Sequence, residues 1–322
     1  MAYNSCRNRH CPKCQSTARD HWLAERAKEL LPVPYCHVVF TVPEPLTELA
    51  LQNPQVVYSL LFRAVSQTLL EIAADPRRLG ARIGFLAVLH TWSQNLLGHP
   101  HIHCVVPAGG LAPGGSRWIH CRRKFFLPVK VLSRMFRGKF LALLRDAFAG
   151  GKLQFHGKLI SLQQPARFHA WLRPLKDIEW VVYAKPPFGG PEYVLKYLAR
   201  YTHRVAISNG RLLRLENGQV TFRWRDSKDN NQIKAMTLDA VEFIRRFLLH
   251  ILPSGFVKIR HFGFLSSRCR TAALALCRER LPQPADRAPI LREEQQCAIE
   301  RRCPVCGIGK LHILRAINSA TT

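Results

Sequence analysis

The chain has 322 residues, 47% of them hydrophobic, enough for one main domain with smaller appendages. Its 48 Lys and Arg against 21 Asp and Glu give a net charge of +27 spread along the whole length, which points to a polyanion as partner, nucleic acid first. No run of about 18 apolar residues suggests a membrane span, and the first residues, Met1 to Arg7, lack the apolar core of a signal peptide.

Residues 1–31 read as a unit of their own. Cys6, His10, Cys11 and Cys14 lie within nine residues, and Cys11 and Cys14 have the knuckle spacing that lets two sulfurs meet one tetrahedral zinc. Asp20 to Leu31 follows as a helix with Trp22, Leu23, Ala27, Leu30 and Leu31 apolar. The eleven cysteines are odd in number, and several fall in Cys-x-x-Cys pairs. That usage fits metal binding in a reducing cytoplasm better than disulfides.

Pro32 and Pro34 open the main domain, expected over residues 33–265. Tyr35 to Val42 is a short apolar run rich in β-branched and aromatic residues, hence a buried strand. Pro54 to Ala73 reads as a long amphipathic helix stopped by Asp75-Pro76. Ile83 to Trp92 is the next strand, and after a turn at Ser93 to Gly98 the chain returns as His99 to Pro107. Trp118 and Ile119 mark a shorter strand, Val129 to Phe148 a helix, and Trp180 to Ala184 another strand. Glu192 to Arg204 reads as a helix with Val194, Leu195, Leu198 and Ala199 apolar. Arg211 to Trp224 reads as a hairpin turned at Asn217-Gly218, and Leu238 to Leu252 as a last amphipathic helix. Residues 266–322 are taken as a tail, with a proline-rich linker from about Leu281 and a second Cys-x-x-Cys at Cys303 and Cys306, for which Cys297 is one candidate partner. The mixture predicts an α+β fold, an antiparallel central sheet flanked by helices.

Two constellations carry chemistry. Alternate residues of a strand share a face, so His101 and His103 project together while Ile102 turns into the core. The third ligand is either His99, on the same strand, or His90, on the preceding one. A hairpin near Gln94 to Leu97 sets His90 opposite His101 or His103, about 5 Å away at Cβ. His90 is preferred, because cross-strand placement gives a facial triad and three collinear ligands do not. Neutral imidazoles suit Zn, Mn and Mg-type sites with positions left open for phosphate oxygens and water. The second constellation is Tyr197 and Tyr201, four apart on the expected helix and so on one face, with Arg200, His203 and Arg204 within a turn. A phenol attacks phosphate only where its surroundings favour phenolate, which nearby cations and a metal supply.

A histidine pair on a strand followed by a helix with Tyr-x-x-x-Tyr resembles the HUH endonuclease superfamily, and within it the two-tyrosine rolling-circle insertion-sequence transposases. The resemblance extends over SCRNRHCPKCQ (5–15), YCHVVFTVP (35–43), HTWSQNLLGHPHIHCVVPAGG (90–110) and YVLKYLARYTHRVAIS (193–208), in that order and over nearly the full chain. It implies that His101 and His103 bind a divalent ion, Mg or Mn, and that Tyr197 and Tyr201 are nucleophiles. It also implies cleavage of single-stranded DNA and element-end hairpins through a 5′-phosphotyrosine. In that family a further Cys-x-x-Cys precedes the block at Cys6 and completes a zinc ribbon. The expectation here is a truncated ribbon, its zinc left to Cys6, Cys11, Cys14 and His10. A DNA-binding remnant without catalysis stays open, as does a replication initiator or relaxase of the same superfamily.

Overall fold

A computed structural model describes residues 12–121, 127–188, 206–226 and 229–281, all within one compact unit, Met1–Leu281. In chain order the main elements are α1 (Pro12–Ala27), β1 (Tyr35–Thr41), α2 (Thr47–Gln52), α3 (Pro54–Ala74), β2 (Gly84–Trp92), β3 (Gly98–Pro107), β4 (Gly109–Leu111), β5 (Trp118–His120), α4 (Val129–Ala149), α5 (Pro165–Leu172) and β6 (Val182–Phe188). The chain continues with β7 (Leu212–Glu216), β8 (Gln219–Asp226), β9 (Gln232–Asp239), α6 (Ala240–Leu248), β10 (Ile259–Gly263) and α7 (Arg270–Arg280).

The centre is a five-stranded sheet in the order β10-β2-β3-β1-β6, antiparallel at every pairing. Strand alternation divides its residues between two cores. Cys36, Val38 and Phe40 of β1, Phe85, Ala87 and Leu89 of β2, and Ile102, Cys104 and Val106 of β3 point to one face, into the main core with α3 and α4. Helix α3 starts at Pro54, where a missing N–H costs nothing, and buries Val57, Leu61, Phe62, Val65 and Leu69. It is long and apolar enough to cross a membrane, which the sequence reading did not anticipate. Most of it is buried inside the fold, as the core helix of a globular domain is.

The opposite face carries Tyr35, Leu86, Val88 and Val105, which join Leu31, Val33, Trp118, Phe264, Leu274 and Cys277 in a second core. Helix α1 therefore ends earlier than its periodicity suggests. After Ala27 the chain bends so that Leu31 enters this core, and the Leu31 N–H donates to the Tyr35 hydroxyl at 2.9 Å. Residues 266–281, assigned to the tail from sequence, include α7, whose Leu274 and Cys277 complete the same core. A separate three-stranded sheet, β7-β8-β9, packs with α6 around Phe222 and Leu96. Its first turn is the expected one: Asn217 and Gly218 both have positive φ, 49° and 73°, the twist a two-residue hairpin needs.

One charged cluster joins α1, β10 and α7. Arg26 donates to His261 Nε2 at 3.4 Å, and Glu29 pairs with Arg26 at 2.9 Å and with Arg270 at 3.2 Å. Burial, then Arg26 and Arg270, push His261 down to about 4. With its folded value below the unfolded 6.5, His261 contributes stability in full above pH 6.5, lost as pH falls toward 4. The loss is expected to be on the order of 2 kcal/mol after allowance for solvent screening. Urea unfolding at pH 7 and pH 4.5 checks it: His261→Gln should lose less stability over that interval than wild type, and equal losses would remove His261 as the cause.

Candidate metal centre

The hairpin β2–β3 builds the site, and its turn is clamped from several sides. Leu96 is fully buried in the third hydrophobic cluster and takes a left-handed conformation, φ 64°, uncommon for a residue with a side chain. The His250 Nε2–H donates to the Leu96 carbonyl at 2.9 Å, which leaves Nδ1 to accept from the Thr91 hydroxyl at 3.2 Å. Arg246 donates to the Asn95 carbonyl at 3.2 Å and Arg211 to that of Gln94. A one-residue slip would turn every histidine to the other face, so this clamp is what fixes the site.

In the resulting register His90 lies opposite His101, and Val88 opposite His103. His90, His101 and His103 form a group whose ligand atoms all lie within 4.8 Å of one another. Their ring centroids are 4.4 Å (His90–His103), 4.8 Å (His101–His103) and 5.3 Å (His90–His101) apart. A metal–nitrogen bond of about 2.1 Å puts each centroid about 3.2 Å from the ion, so ligands at 90–110° have centroids about 4.5–5.2 Å apart, and the three observed separations agree with that range to about 0.1 Å. The donor set therefore fits one ion in a facial arrangement. His99 is not in this group: it is exposed, next to the register shift at Trp92 and Gly98.

Each imidazole is also oriented. The His99 carbonyl lies 2.5 Å from His101 Nδ1, so Nδ1–H donates to it and Nε2 is left for a metal. His90 stacks on Trp92 at 4.9 Å with 16° between planes. His103 Nδ1 lies 2.9 Å from Nε2 of His37, a β1 residue with only 6% exposure. Burial pushes His101 and His37 down to about 4, the latter also through Lys185, and holds His103 well below 6.5. All three are thus neutral at pH 7, the form that ligates or accepts. Among the described residues the group contains no carboxylate, so its three imidazoles would add no negative charge to a bound ion.

His37 was missed from sequence because a single histidine in the run YCHVVFTV reads as core. Its signal lay in the register: His37 pairs with Val105, which makes it a diagonal neighbour of His103. Tyr183 and Lys185 share this face, opposite Val39 and His37. Tyr197, Tyr201, Arg200, His203 and Arg204 lie outside the described residues, as do Cys6, His10, Cys11, Cys303 and Cys306. Cys14 falls on α1.

The Y2_Tnp family, described as putative transposase, matches residues 84–273, and a transposase zinc-binding domain (Zn_Tnp_IS91) matches residues 1–42. The putative transposase y4qJ of Sinorhizobium fredii is 54% identical over 330 aligned residues, covering 100% of this chain and 83% of that protein. The transposase for insertion sequence element IS801 of Pseudomonas savastanoi pv. phaseolicola is 28% identical over 82% of this chain, which spans 62% of that relative's length. Among solved structures, the conjugative relaxase TrwC in complex with oriT DNA aligns with 51% of this chain and 71% of its own, at 14% identity and a TM-score of 0.28, a likeness too partial to establish a shared fold.

Proposed function

The chain belongs to the Y2_Tnp family of putative transposases, and from that premise we propose that it is a metal-dependent tyrosine endonuclease and strand transferase of rolling-circle transposition. The observation that carries the reading is the His90–His101–His103 group, three imidazoles converging from two clamped strands in a transposase. His90, His101 and His103 would hold a divalent ion, Mg or Mn, which would supply positive charge to a scissile phosphate.

The nucleophile in this reading is Tyr197 or Tyr201. Of the described tyrosines, Tyr35 and Tyr58 are buried in the cores. Tyr183 is 51% exposed but sits two strands from His103, about 10 Å sideways at about 4.8 Å per strand.

One tyrosine oxygen attacks phosphorus, the new O–P bond forms as the P–O3′ bond breaks, and the released 3′ oxygen takes up a proton. The energy of the phosphodiester is kept in the phosphotyrosine, and the second tyrosine allows a second cleavage before the first bond is resolved. Arg200, His203 and Arg204 are assigned to the DNA backbone, as are Arg214, Arg223 and Arg225, exposed on the β7–β9 sheet. Zinc is assigned to the N-terminal cysteines Cys6, Cys11 and Cys14.

Incubation with single-stranded element-end DNA and Mn²⁺, run on denaturing gels, tests this. The wild type is expected to give a covalent protein–DNA adduct, and the double variant Tyr197→Phe/Tyr201→Phe none. An undiminished adduct in the double variant, or none from the wild type, defeats the reading. DNA binding without cleavage would mark a remnant that only binds.

A further inference from the structure

His37 and His103 come from adjacent strands, and their rings lie within 2° of parallel with centroids 5.1 Å apart. The two values separate stacking from edge-on contact. With C–N bonds of about 1.33 Å, a ring nitrogen lies about 1.1 Å from its centroid. An in-line N–H···N bond at the observed 2.9 Å then puts the centroids about 5.1 Å apart. The rings are therefore coplanar and edge to edge, joined by a hydrogen bond with nearly ideal alignment.

We propose that His37 is a positioning residue that fixes the tautomer and ring plane of His103, so that His103 presents Nε2 to the divalent ion. The inference rests on the metal reading above. An imidazole pair bonded in this way needs one N–H and one lone pair. Coordination through His103 Nε2 places the His103 proton on Nδ1, which donates to His37 Nε2, and the His37 proton then sits on its own Nδ1. This is the role a carboxylate or carbonyl commonly plays for a metal-bound histidine. The carbonyl of His99 fills it for His101. A neutral imidazole in that place orients its partner without adding negative charge, so the ion's attraction for a phosphate is undiminished.

The test compares His37→Leu, which removes the acceptor, with His37→Gln, which keeps one. Mn²⁺ affinity is measured by calorimetry and electron paramagnetic resonance, with circular dichroism as the check on folding. The Leu variant is expected to bind Mn²⁺ about 10–100-fold more weakly, and the Gln variant within a few-fold of wild type. A folded Leu variant with wild-type affinity overturns the proposal. A second measurement needs no variant. In the Mg²⁺-loaded wild type, long-range ¹H–¹⁵N spectra should show His103 protonated at Nδ1 and His37 unprotonated at Nε2. The opposite tautomers overturn it independently of any folding defect. A wild type that takes up no Mn²⁺ would sink the metal reading itself, a result distinct from either of these.

Discussion

His103→Ala is expected to weaken Mn²⁺ binding by at least about 100-fold, more than loss of an orienting partner costs, and to remove the covalent DNA adduct with it. In the proposed site His103 is the histidine nearest both of the others, 4.4 Å from His90 and 4.8 Å from His101 between centroids. Without it only the facing pair across β2 and β3 remains. Two neutral nitrogens and no carboxylate are a poor site for a hard divalent ion. Salt-dependent DNA binding should survive, because it depends on the arginine and lysine surface. His99→Ala is the matched control. It deletes an exposed ring but leaves the backbone carbonyl that His101 donates to, so affinity should stay within about three-fold of wild type. If the two alanine variants weaken Mn²⁺ binding equally, the ligands run along one strand as His99, His101 and His103, and the cross-strand geometry is not the functional one.

The placement of His90 across from His101 was legible in the sequence because it needed only strand alternation and a short turn. The turn length put His90 across from the His101–His103 pair, and no long-range information was required. Where the reading fell short, tertiary context had decided. Strand β6 was expected to stop at Ala184, before Pro186 and Pro187, yet it continues to Phe188. A proline removes a ladder donor, but β6 is an edge strand and can spare one. The sequence pattern does not mark strand β9 and assigns its last residues to a helix starting at Leu238. The helix begins only at Ala240, after Asp239 caps it by accepting the Val241 N–H at 2.8 Å. That cap was legible in the sequence. His37 was not, because its meaning depends on β1 pairing with β3 across more than sixty residues.

The largest stability effect is expected at a glycine remote from the histidines. Gly263 ends β10 with φ +60°, opposite Gly84 of β2. A Cβ placed there would lie 1.9 Å from the Ile83 carbonyl oxygen, which the Phe264 N–H also reaches at 3.2 Å. Alanine therefore brings two costs: left-handed backbone strain, about 1 kcal/mol, and displacement of a hydrogen-bonded backbone carbonyl that cannot rotate away as a side chain can. Together they should cost about 3–4 kcal/mol or more. Gly255 separates the two, because it has a similar φ of +71° but open space where its Cβ would be. Gly255→Ala should lose only the strain, about 1 kcal/mol. Denaturant unfolding of both variants checks the difference. It matters for the site because β10 is the outer neighbour of β2, the strand that carries His90, and Phe264 just beyond it closes the second core. Equal losses in the two variants would mean that the Ile83 carbonyl yields easily and that β10 does not hold β2 in place. A much larger loss at Gly263, accompanied by weaker Mn²⁺ binding, would show that the triad depends on this distant backbone contact as well as on its own clamped turn.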